Sequence, residues 1–114
     1  MSEDFERIKQ QAINDYNHRN FAQAIQGFQA CLEHFESQGD ELAVAEARNN
    51  LSVTHLAMNQ AQLALDEVEN TAEVFAKNGD RKREGMAIAN KAAALEALDR
   101  REEALSLYEQ VLEI

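Results

Sequence analysis

Apolar residues along this chain recur three and four positions apart, the spacing that lines one face of an α-helix. The first run is Phe5, Ile8, Ala12, Ile13 and Tyr16, and the second is Phe21, Ala24, Ile25, Phe28, Cys31, Leu32 and Phe35. The pattern resumes with Leu42, Ala45, Leu51 and Leu56, then with Leu63, Ala64, Val68 and Phe75. It closes with Met86, Ile88 and Leu95, followed by Ala104, Leu105, Tyr108, Val111 and Leu112. The stripes are separated by turn signals. Gly39 and Gly79 suit the left-handed position after a helix, and Asp40 and Asp80 then cap the next one. Asn20 with Gln23, Asn59 with Gln62, and Asp99 with Glu102 read as capping boxes at the other turns. The pattern predicts six helices, near 3–18, 21–37, 41–58, 61–77, 81–98 and 101–113, and no strands.

The stripes also repeat. Gly39-Asp40 returns as Gly79-Asp80, and Ala24 as Ala64 and Ala104. Comparing each residue with the one forty positions later gives 13 identities in 74 pairs, well above what unrelated helical sequences share. A forty-residue period divides residues 1–114 into three helix-turn-helix units, about 1–39, 40–79 and 80–114, forming one domain. A single helical pair cannot cover its own apolar face, so the units are expected to stack around a continuous core. The chain contains no proline, which fits uninterrupted helices.

The units resemble the tetratricopeptide repeat, whose second helix carries A-x3-F. Here that element is Ala24-x3-Phe28, Ala64-x3-Val68 and Ala104-x3-Tyr108. The first-helix signature is degenerate, as Leu51-Ser52-x2-His55 and Lys91-Ala92-x2-Leu95, and the terminal proline is missing. The stretch Gly79-Asp80-Arg81-x2-Glu84-Gly85-x-Ala87-x2-Asn90 is similar to the repeat opening of the forty-residue Leu-Gly-Asn adaptors, the Pins-like scaffolds. The resemblance implies an all-α, right-handed superhelix that acts as a protein-interaction adaptor or scaffold.

It also implies a place for the ligand. Such arrays bind along the concave face made by the first helix of each unit. The corresponding residues here are Lys9, Ile13 and Tyr16, then Asn49, Asn50, Val53 and Leu56, then Met86, Asn90 and Ala93. In the adaptors, asparagines matching Asn50 and Asn90 hydrogen-bond an extended peptide, and an amide is suited to that because it both donates and accepts. The alternative is that these asparagines tie neighbouring helices together. The carboxylate clamp of chaperone-binding arrays matches at Lys9 and Asn50 but not at Ile13, Met86 or Asn90. The apolar centre of the face instead suits an apolar peptide or an amphipathic helix, of a partner or of the chain itself.

Charge narrows the partners. The formal net charge is −10, which disfavours nucleic acid and anionic membranes. The cations Arg81, Lys82, Arg83, Arg100 and Arg101 fall at predicted helix starts, against the helix dipole, which suits either an acidic partner or pairing with Glu41, Glu46 or other acids of the adjacent unit. No cofactor, metal or catalytic motif is legible: His18, His34 and His55 have no ligand spacing, with His18 and His34 expected on the surface and His55 packed. The lone Cys31 reads as an inert buried thiol. With an acidic, unsignal-like start, the chain is expected to be a cytoplasmic non-enzyme.

The last helix keeps an apolar stripe through Leu105, Tyr108, Val111 and Leu112 towards Ile114. Repeat stacks need polar outer faces. Two readings follow: the chain is an N-terminal piece of a longer repeat array, or it self-assembles as a homodimer through the C-terminal helix.

Overall fold

A computed structural model describes residues 2–113, with the backbone alone for Ser2. Ile114, counted above with the apolar end, lies outside the described residues. The described residues form helices and no strand: α1 (Ser2–Asn17), α2 (Phe21–Gln38), α3 (Glu41–Ala57), α4 (Ala61–Glu67), α5 (Thr71–Lys77), α6 (Arg81–Ala97) and α7 (Arg101–Leu112). None is long and apolar enough to cross a membrane.

Five turns mark time along the chain. Arg19, Gly39, Asn59, Gly79 and Asp99 all have positive φ, between 60° and 75°, and stand twenty residues apart. Each ends a helix in the same way. The left-handed residue bonds back three positions, and the next residue bonds back five, as Asn20 N–H to Asp15 O at 2.7 Å and Arg100 N–H to Leu95 O at 2.9 Å. This is the Schellman terminus, which satisfies the last carbonyls of the helix. Asp40 and Asp80 then cap α3 and α6, accepting from the Ala43 and Arg83 amides at 3.2 and 3.0 Å. The capping boxes expected at the other turns do not form. Asn20 makes no side-chain cap bond, and Asn59 and Asp99 are the left-handed residues themselves. An amide or carboxylate side chain is one of the few that tolerates that conformation, so it serves the helix end there.

The helix expected over 61–77 is broken. Between α4 and α5, Val68 and Asn70 adopt φ of −99° and −124° with ψ near 10°. The Val68 and Thr71 amides bond back only three residues, and the Thr71 hydroxyl donates to the same Val68 carbonyl at 3.5 Å. Thr and Asn compete locally for backbone groups, which favours such an interruption. The break also re-phases the buried stripe. Leu65 joins a cluster with Ala92 and Leu95, whereas Phe75 joins another with Ala45 and Ala87.

Consecutive helices pack closely because small residues meet between them. Ala12, Ser52 and Ala92 on α1, α3 and α6 are buried, as are Ala24, Ala64 and Ala104 on α2, α4 and α7. Ser52 Oγ donates to the Ala64 carbonyl at 2.7 Å. A Cβ at Gly27 would fall 2.8 Å from Ala12 Cβ, so α2 lies as close to α1 as glycine allows. The larger side chains Phe28, Cys31 and Leu32 reach onward to Ala47 and Leu51 of α3. His34 departs from its expected exposure. Its ring stacks on Phe5 at 3.9 Å, and Phe35 meets it edge-on at 5.0 Å.

Two glycine-to-alanine substitutions should act with opposite sign. Gly79→Ala forces a Cβ into the left-handed region and is expected to cost about 1–2 kcal/mol. Gly85→Ala lies within α6 with open space around it and is expected to stabilise by ~0.5–1 kcal/mol. Thermal unfolding followed by circular dichroism measures both, and a loss of stability in both variants contradicts this account of the turns.

Candidate functional site

The first-position helices α1, α3 and α6 stand in order and are joined at Glu46. Its carboxylate accepts from Lys9 Nζ of α1 at 2.8 Å and pairs with Arg83 Nη2 of α6 at 3.2 Å. Lys9 also pairs with Glu6 at 3.3 Å, and Arg83 with Asp80 at 2.9 Å. The chain Glu6–Lys9–Glu46–Arg83–Asp80 therefore crosses three helices that are far apart in sequence.

Beside this chain of charges runs a groove of about 480 Å³. Phe28, Cys31 and Phe35 of α2 supply apolar lining, while Lys9, Glu46, Asn50 and Arg83 supply polar walls. Two cations and four carboxylates (Glu6, Asp40, Glu46, Asp80) line it, so it is acidic by two charges. Burial opposes the charge on Lys9. The hydrogen bonds and charges of Glu46 and Glu6 outweigh that and hold its pKa above the ordinary 10.5. The hydrogen bonds from the Arg83 backbone and guanidinium hold the Asp80 carboxyl below its ordinary range. Burial pushes the Cys31 thiol up and keeps it protonated, which makes it a poor nucleophile at neutral pH.

All ten residues singled out in the sequence lie on α1, α3 and α6, but only Lys9 and Asn50 line this groove. Ile13 and Tyr16 pack against the core cluster around Phe28, and Leu56 against the cluster around Leu95. Val53, Asn90 and Ala93 are half-buried, and Met86 is exposed. Asn49 is only 6% exposed, and its Oδ1 accepts no hydrogen bond. An orphaned buried acceptor of that kind costs about 1–3 kcal/mol. Glu46 and Arg83 organise the groove; the sequence offered Arg83 as a cation at a helix start and Glu46 as an acid to pair with it. Arg81 was expected to meet Glu41; Glu41 instead pairs with Lys77 at 3.0 Å. Among the described residues no three His, Cys, Asp or Glu side chains gather so as to hold a metal ion.

No family model, curated protein or solved structure matches this chain.

The Lys9 shift has a defined consequence. Its folded pKa lies above the unfolded value, so its contribution is complete below about pH 10.5 and is lost as pH rises through the folded pKa. The urea midpoint should fall between pH 10 and 12 more steeply in the parent than in Lys9→Met. Parallel alkaline limbs would mean that the Lys9–Glu46 pair does not join α1 to α3.

Proposed function

We propose that this chain is a non-catalytic protein-interaction module of the tetratricopeptide type, a right-handed superhelix of three helix-turn-helix repeats. It acts as an adaptor or scaffold and holds a peptide segment of another protein across α1, α3 and α6. A cytoplasmic setting suits the buried free thiol of Cys31.

The observation that carries this reading is the groove itself. It combines an apolar floor, polar walls on successive first helices, and an amide at Asn50 able to pair with a peptide backbone. Asn90 occupies the matching place on α6 and is half-exposed. The same positions fall in register because left-handed turns recur every twenty residues. The excess of carboxylates selects for charge: a segment with a lysine or arginine next to an apolar residue would pair with Glu6 or Asp40 and place its apolar side chain over Phe28 and Phe35.

Selection from a random displayed peptide library tests this. Ligands enriched in a basic residue beside an apolar one are expected. Asn50→Ala should weaken them about threefold to tenfold, the worth of one hydrogen bond at ~0.5–1.5 kcal/mol, with helicity unchanged. Gln29→Ala, on the exposed side of α2, should leave binding as it was. Full binding by Asn50→Ala overturns the assignment.

A further inference from the structure

The outer face of α7 repeats a surface that is covered twice elsewhere in the molecule. Leu65 and Val68, on the middle pair of helices, are 6% and 2% exposed; forty residues on, Leu105 and Tyr108 are 59% and 36% exposed. Leu32 is buried and Ala72 half-buried, while Leu112 is 86% exposed. What covers the earlier copies is a helix in each case. Helix α3 lays Val44, Ala47 and Leu51 on α2, and α6 lays Ala87 on Phe75 and Ala92 and Leu95 on Leu65. No helix among the described residues takes that place on α7.

Charge accompanies shape at the covered seams. Arg48 of α3 pairs with Glu36 of α2 at 3.4 Å. Lys91 of α6 shares a crevice of about 230 Å³ with Glu69 and Glu73. The equivalents of Glu69 and Glu73 on α7 are Glu109 and Glu113, both exposed beside the apolar stripe. Tyr108 Oη donates to Glu96 Oε1 of α6 at 3.2 Å, which fixes its ring beside Leu105 and Leu112.

A second copy of the chain is a poor occupant. Its α1 carries Asp4, Arg7 and Gln11 where α3 carries Val44, Ala47 and Leu51, and all three are exposed and polar. Its α7 would bring bulky Leu105, Tyr108 and Leu112 against their own copies and crowd Glu102, Glu103, Glu109 and Glu113 of both chains.

We propose that α7 is a docking surface for an amphipathic helix of a partner protein. That helix presents a small residue and, one turn on, a leucine or isoleucine to Leu105, Tyr108 and Leu112, with a lysine or arginine at its edge facing Glu109 and Glu113. The site is separate from the groove, and the two stand or fall independently.

The probe is a fluorescent synthetic peptide of residues 80–98, which has this chemistry, titrated with the full chain up to millimolar concentration while anisotropy is read. Saturable binding is expected, weakened at least tenfold by Leu105→Asp with Leu112→Asp and by Lys91→Glu in the peptide, and reduced by salt. Both leucines are exposed, so the double variant should keep its helicity. Absence of binding, or binding indifferent to these changes, overturns the proposal. So does a concentration-dependent doubling of mass in light scattering that Leu105→Asp abolishes, which would assign the face to a second copy.

Discussion

Everything else in this molecule depends on six small residues. Ala12, Ser52 and Ala92 lie on the first helix of each pair, and Ala24, Ala64 and Ala104 on the second. Where they meet, two helix backbones come close enough for a serine hydroxyl on one to reach a carbonyl of the other at 2.7 Å. Any larger side chain would hold the helices apart, since interiors close-pack and cannot absorb extra methylenes cheaply. Close approach within a pair leaves no room there for the large residues. Phe28, Leu32, Leu65 and Phe75 must therefore bury themselves against the next helix along, and stacking follows from pairing.

Ion pairs then bridge the stacked helices. The chain has few cations, and those that pair across helices converge on α3: Lys9 and Arg83 on Glu46, Lys77 on Glu41, and Arg48 on Glu36 and Glu67. Partly exposed pairs of this sort contribute only about 0–1 kcal/mol each. Glu46 bridges α1 and α6 across α3, and the groove lies beside this bridge, lined also by α2 side chains. The same helix thus serves as the middle of the core and the middle of the candidate site. The two surfaces proposed for partners differ in kind: the groove is walled by charge over an apolar floor, whereas α7 offers an apolar stripe edged by carboxylates.

The helical class, the helix positions to within one residue at most ends, and the forty-residue period could be read from the sequence alone. The reason is that helical periodicity, glycine and aspartate turn signals, and small-residue positions are local properties repeated along the chain. Arg19 shows the limit, because arginine has no preference for the left-handed conformation it adopts; its place in step with Gly39 and Asn59 was the available signal. Tertiary structure decided the rest. The break between α4 and α5 puts Leu65 in one cluster and Phe75 in another; Asn70 and Thr71 favour it locally, but their pull alone did not outweigh the helical pattern in the sequence. His34 is sheltered by Phe5, twenty-nine residues away, and Glu46 finds Lys9 and Arg83 thirty-seven residues to either side. Contacts at such separations depend on how helices cross, which a one-dimensional pattern does not contain.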